Sequence, residues 1–184
     1  MEVSSAPLPG VLILKPRKFR DDRGFFFESF NQRVFQDSAG ITSKFVQDNH
    51  SKSGRGVLRG LHYQLGKPQG KLVRVIEGAI YDVAVDIRRG SPTFGKWFGI
   101  ELSAENDLQL WVPPDFAHGF LVTSEVAQVL YKTTDYYSPT HERSILWSDP
   151  ALSIDWPDVG ASVVLLQKDE IASTLETAEL PDFS

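Results

Sequence analysis

No cysteine occurs anywhere in the 184 residues. Disulfide frameworks, thiol nucleophiles and thiolate-held metals are thereby excluded, and the composition suits a reducing compartment. Positive charge is not in excess either: 19 Lys and Arg against 24 Asp and Glu leave a net charge of -5. A general nucleic-acid surface needs the opposite balance, so any anionic ligand must be held by a local cluster of cations. Long apolar runs are also missing. Val11-Leu12-Ile13-Leu14 is too short for a signal core or a membrane span, and Met1 to Gly10 hold Glu2 and two prolines but no basic stretch. The expectation is a cytoplasmic protein that meets neither membrane nor nucleic acid.

Aromatic residues and turn formers are abundant. Twelve Phe, five Tyr and four Trp, with 14 Gly and 11 Pro, suit a β-rich chain with many tight turns, in one domain over residues 1–184. Short runs of strand character recur at Val11–Leu14, Phe25–Phe30, Phe45–His50, Ala79–Ile87, Trp97–Leu102, Leu108–Val112, Ala117–Thr123 and Val126–Thr134, divided by Gly, Pro and Asn. Even spacing with little helix between strands predicts an all-β antiparallel sandwich or barrel. Asn31 can cap a short helix over Asn31–Ser38 that stops near Gly40, and Ser162–Ala178 reads as loop and short helix packed on the barrel.

Phe25-Phe26-Phe27 cannot all face one core, because successive strand side chains point to opposite faces. Either Phe26 meets a partner or ligand, or this sheet is buried on both sides. Gln47 and Asn49 share a face by the period of two. Such a pair is ordinarily a wet face, but it also offers hydrogen-bonding groups to a base or sugar.

The densest chemistry lies in Arg59-Gly60-Leu61-His62-Tyr63-Gln64-Leu65-Gly66-Lys67-Pro68-Gln69-Gly70-Lys71. A lone strand histidine is more often structural than catalytic, and the cations here have an equally ordinary reading as surface charges. The strand, turn, strand pattern places His62 and Lys71 on neighbouring strands. Strict alternation puts Arg59 and His62 on opposite faces, so a shared site requires a bulge or bend at Gly60. His118 opens a strand after Pro113-Pro114, Tyr131 sits mid-strand, and Lys168-Asp169 lies in the tail. Separated segments that each supply one polar group are what a pocket inside a barrel needs.

Together these residues resemble a known family. Phe19…Asp21…Arg23-Gly24…Phe26…Glu28, Arg59-Gly60-Leu61-His62-Tyr63-Gln64, Gln69-Gly70-Lys71-Leu72-Val73-Arg74-Val75, Asp82-Val83…Val85-Asp86, Ser91-Pro92-Thr93-Phe94-Gly95, Phe116-Ala117-His118-Gly119-Phe120 and Tyr131 look like the dTDP-4-dehydrorhamnose 3,5-epimerases, from about Val11 to Trp156 in order. The resemblance implies a cupin jelly-roll with short peripheral helices. It also implies epimerisation of dTDP-4-dehydro-6-deoxy-D-glucose at C3 and C5 to dTDP-4-dehydro-L-rhamnose, in dTDP-L-rhamnose biosynthesis.

The chemistry asks for two proton carriers. In a 4-keto sugar the C3 and C5 protons flank the carbonyl, so inversion follows when a base removes one, the enolate is stabilised, and an acid returns a proton on the other face. The resemblance makes His62 the base, Asp169 the carboxylate that orients it, Tyr131 the acid and Lys71 the group at the enolate oxygen, a role His118 could share. Imidazole in general, with a reference pKa of ~6.5, suits a base near neutrality, and phenol, near ~10, suits an acid. For the diphosphate the resemblance implies Arg59 and Arg23, with Lys168 near the nucleotide. Phe26, Glu28, Gln47 and Asn49 would hold the thymidine end, His118 and Glu142 would also bind substrate, and the Arg23 to Glu28 segment would cross to a second subunit, giving a homodimer with two shared sites. No cofactor is implied and no metal: His62-Tyr63-Gln64 lacks the H-x-H pair of metal cupins. A non-catalytic sugar-nucleotide binder is the alternative of a different class, and a relative that inverts one carbon or shifts the ketone is the nearer one.

Overall fold

A computed structural model describes residues 1–183. The chain opens with β1 (Glu2–Ser5), β2 (Leu12–Lys15) and the hairpin of β3 (Phe19–Asp21) and β4 (Gly24–Phe26), followed by α1 (Gln32–Ala39). Asn31 caps α1 by accepting from the amides of Arg33 and Val34, and Gly40 closes it in the left-handed conformation, φ 70°. Then come β5 (Gln47–Gly54), β6 (Leu58–Gln64), β7 (Lys71–Glu77), β8 (Ala79–Asp86), β9 (Trp97–Ser103), β10 (Gln109–Val112), β11 (Phe116–Val122), β12 (Val126–Thr133) and β13 (Glu142–Ser144). A single turn of helix, α2 (Gln167–Glu170), lies in the C-terminal segment.

The strands form the jelly-roll sandwich that the spacing predicts. One sheet has the order β1-β2-β10-β7-β12-β5 and the other β13-β6-β11-β8-β9, with antiparallel pairing throughout. Alternation fills the space between them: Val73, Val75, Leu110, Ala127 and Val129 of the first sheet pack on Ile80, Ala84, Leu102, Phe120 and Val122 of the second. Both outer faces are covered as well. Phe35 of α1 packs on Leu14, Leu72 and Trp111, while Leu152, Leu175 and Ala178 of the C-terminal segment cover Leu61, Val83 and Val85. Burying residues of this size contributes roughly 2 kcal/mol apiece before entropy is counted.

The structure departs from the sequence reading in three places. The aromatic strand ends at Phe26, so Phe27 to Phe30 leave the hairpin instead of extending it. β1 has no expectation at all, because Glu2–Ser5 is short and polar and is a strand only through pairing with β2. The third bears on the site: β6 and β7 are not neighbours but belong to opposite sheets. The turn at Gly66 to Gly70 crosses the end of the sandwich, and Gly70 lets it pass, since a Cβ there would stand 2.3 Å from the Trp111 ring. A strand, turn, strand pattern cannot by itself distinguish a hairpin from a crossing between sheets.

Candidate active site

Crossing to the other sheet brings Lys71 and His62 face to face instead of side by side. Lys71 Nζ spans the sandwich and donates to the His62 carbonyl at 3.1 Å. Around this tie the interior turns polar and opens as a cavity of about 230 Å³.

Both sheets contribute to its walls. From β6 come Arg59 and His62, from β11 His118, from β7 Lys71 and from β12 Tyr131. β5, at the edge of its sheet, turns Gln47, Asn49 and Ser51 inward and leaves Asp48, His50 and Lys52 exposed, the plain result of period-two alternation. Glu142 of β13 and Lys168 and Asp169 of α2 complete the rim. Ten of the thirteen candidate residues thus line one cavity. Arg23, Phe26 and Glu28 do not: they lie on or just after the β3-β4 hairpin, where Phe26 is 73% exposed, Arg23 pairs with Asp21 and Glu28 accepts from Asn31 Nδ2.

Gly60 carries the irregularity that a shared site requires. Pairing runs His118 with His62, then Phe120 with Arg59, so three steps along β6 match two along β11. Gly60 takes φ 135°, and a Cβ there would lie 2.5 Å from Gly119 Cα. Arg59 and His62 consequently both face the cavity.

Each cavity histidine holds a buried carboxylate. His62 Nε2 lies 2.7 Å from Asp169 Oδ1, and the Asp169 side chain is 1% exposed. Where the carboxylate is ionised it only accepts, so Nε2 is then the donor and Nδ1 of the neutral ring holds the lone pair. His118 Nε2 lies 2.7 Å from Oδ1 of Asp82, which is fully buried. Lys71 is buried, and desolvation lowers its pKa to about 8 against the opposing pull of Asp82 and Glu142. Burial raises the Tyr131 phenol, with the positive charge of Arg59 acting the other way. At the mouth, Lys168 Nζ donates to both oxygens of Glu142 at 2.9 Å, and the Tyr137 hydroxyl donates to the same carboxylate at 3.2 Å.

Tyr137 is a cavity residue that sequence reasoning missed. The signal was an aromatic pair, Tyr136-Tyr137, in the turn before Ser138-Pro139, where a large ring has no core to enter. Its backbone amide is fixed by Gln47 Oε1 at 2.9 Å. Gln64, also missed, is 5% exposed and ties the same loop down by bonds to the Tyr136 carbonyl and the Ser138 amide. An imidazole, a phenol on the facing sheet, a buried ammonium and unpaired guanidinium donors suit proton transfer next to a carbonyl on an anionic substrate.

Comparison with known proteins gives the same direction. The family model described as dTDP-4-dehydrorhamnose 3,5-epimerase matches residues 5–177. The dTDP-4-dehydrorhamnose 3,5-epimerase of Salmonella typhimurium is 55% identical, covering 99% of this chain and 100% of the relative, and that of Pseudomonas aeruginosa is 61% identical over 85% and 87%. Among solved structures, the Legionella pneumophila dTDP-6-deoxy-D-glucose-3,5-epimerase in complex with dTDP-4-keto-L-rhamnose superposes with a TM-score of 0.97 at 49% identity, covering 100% and 98% of the two chains. A 3'-monoepimerase from Streptomyces bikiniensis in complex with dTDP-quinovose is more distant, 35% identical with a TM-score of 0.90, covering 97% and 93%.

Proposed function

Because the chain belongs to the dTDP-4-dehydrorhamnose 3,5-epimerase family, it is an isomerase of dTDP-linked 4-keto sugars, and we propose that His62 and Tyr131 carry its two proton transfers. The substrate is dTDP-4-dehydro-6-deoxy-D-glucose and the product dTDP-4-dehydro-L-rhamnose, with inversion at C3 and C5, in dTDP-L-rhamnose biosynthesis. The observation that carries the assignment of roles is that His62 and Tyr131 line one cavity from facing sheets, so a sugar ring between them meets an imidazole on one side and a phenol on the other.

His62 Nδ1 takes the proton from C3 or C5, and the Asp169 carboxylate holds the ring in that tautomer and stabilises the imidazolium that forms. Charge then moves to the sugar's C4 oxygen. Lys71, still mostly an ammonium at neutral pH, stabilises that enolate in a water-poor site, with a contribution of about 3 kcal/mol by comparison with oxyanion donors. Tyr131, kept neutral by burial, returns a proton on the opposite face and inverts the carbon. His118, fixed by Asp82, is a second donor within the cavity. Arg59 binds the diphosphate, Glu142 and Lys168 the nucleotide side of the mouth, and Gln47 and Asn49 the thymidine. Neither a cofactor nor a metal enters any step.

The exposed hairpin supports a homodimer. Phe25 and Phe26 are 60% and 73% exposed, an arrangement costly in water unless another surface covers it. In the proposed dimer each hairpin reaches the partner's cavity and adds Arg23 to the diphosphate and Phe26 and Glu28 to the thymidine. The protein works in the cytoplasm, and no helix among the described residues is long and apolar enough to cross a membrane.

The test supplies dTDP-4-dehydro-6-deoxy-D-glucose in D2O and follows label by NMR. Deuterium at both C3 and C5, lost in His62→Ala, is the expected result; label at one carbon only would reduce the enzyme to a monoepimerase, and unchanged exchange in His62→Ala would remove His62 as the base.

A further inference from the structure

The inner face of β5 is polar along its whole length, Gln47, Asn49, Ser51 and Ser53 in turn. Ser53, the deepest, is 9% exposed and does not itself line the cavity. Its hydroxyl accepts from Arg59 Nε at 3.2 Å and from Arg59 Nη2 at 3.0 Å, a contact that spans the two sheets. Among the described residues these are the guanidinium's only hydrogen bonds, and it forms no ion pair with a carboxylate. One oxygen therefore holds one edge of the planar fork, which leaves the Nη1 donors and one N–H of Nη2 for a ligand.

A neutral hydroxyl suits this task for an electrostatic reason. A carboxylate in the same place would orient Arg59 more strongly but would cancel the charge an anionic ligand requires. A hydroxyl fixes the group and leaves its full positive charge in the cavity. That charge also acts on Tyr131, where it opposes the rise caused by burial.

We propose that Ser53 is a positioning residue for diphosphate recognition: it presets the Arg59 guanidinium so that its free edge meets the diphosphate without rotamer loss on binding. This rests on the reading of Arg59 as a diphosphate ligand. The rival role for Ser53 is a tie between the sheets, which affects stability alone.

Calorimetric titration with dTDP and with thymidine, together with steady-state kinetics, separates these roles. Ser53→Ala is expected to weaken dTDP about 5-fold to 10-fold, the size of an ordinary hydrogen bond's net contribution, and to raise KM similarly, with kcat within about twofold. Thymidine binding and the melting temperature should stay unchanged, and Ser53→Thr, which keeps the hydroxyl, should restore dTDP affinity. In an Arg59→Ala background, Ser53→Ala should have no further effect. Unchanged dTDP affinity in Ser53→Ala, or a loss that persists without Arg59, would overturn the proposal. Unchanged dTDP affinity in Arg59→Ala would instead overturn the diphosphate assignment on which it rests.

Discussion

His118 stands directly opposite His62 in the pairing of β11 with β6, and each ring holds a carboxylate of its own, Asp82 and Asp169. The two dyads are built differently. Asp82 comes from β8, the neighbouring strand of the same sheet, whereas Asp169 comes from the C-terminal segment more than a hundred residues beyond His62. Docking of that segment therefore completes the His62–Asp169 pair.

Asp169→Asn tests this directly. The amide fits the space but no longer stabilises the imidazolium, so kcat should fall by up to about 10⁴-fold, with dTDP affinity nearly unchanged. Single-turnover proton exchange in D2O measures it, and a loss confined to KM would count against the orienting role.

Tyr131→Phe removes only a hydroxyl from the far side. Abstraction by His62 should persist, so deuterium should still enter C3 or C5, while formation of the inverted product drops about 10²-fold. If exchange disappears together with inversion, the phenol is not confined to reprotonation.

Lys71 sets an alkaline limit. Because burial lowers its pKa to about 8 in the free protein, the ammonium loses its proton as pH rises through that value, and kcat/KM should fall above it. Lys71→Met should remove that limb and lower the plateau about 10²-fold or more. Stability should move the other way. The folded state disfavours the charged lysine, so between about pH 8 and the ordinary lysine range the unfolded chain binds more protons and stability rises with pH. At pH 7 the methionine variant should be more stable to unfolding by denaturant, by roughly 1–3 kcal/mol.

Asp86 supplies an acid-side test away from the cavity. It is fully buried, and although burial alone would raise its pKa, bonds from Arg88, Ser91 and Thr93 prevail and bring it down to about 2. Its stabilisation is present above the unfolded carboxylate pKa near 4 and is lost as pH falls towards 2. Asp86→Asn should cost about 2 kcal/mol at pH 7 and flatten the acid limb of the unfolding curve.

The proposed shared sites predict complementation between defective chains. In the proposed dimer His62→Ala spoils only its own cavity, and Arg23→Ala only the hairpin it lends. Mixed after dissociation and reassociation, the two should recover about a quarter of wild-type activity, since half the dimers are hybrids with one intact site each. Activity no greater than the sum of the parents would exclude a hairpin contributed in trans.

Much of the fold was legible because strands announce themselves through alternation. The run from Ala79 to Ile87 marked β8, and Asn31 with Gly40 bounded α1 to within a residue. The site was legible in its residue types and, through the conflict between Arg59 and His62, even in its need for a bulge at Gly60. Its geometry was less so. His62 and Lys71 looked like hairpin neighbours and prove to face each other across the sandwich, and Tyr137 gave no periodic signal because it lies in a turn.

The amino-acid order by itself determined which side chains point inward, where the chain turns and which chemistries are out of reach, since these follow from a residue's own stereochemistry and its nearest neighbours. Only the tertiary structure decided which inward-pointing groups meet: alternation selects a face, but sheet order selects what stands opposite it. That is why His62, Lys71, Tyr131 and Asp169, drawn from four separate segments, share one cavity, while Phe26 lies exposed outside it.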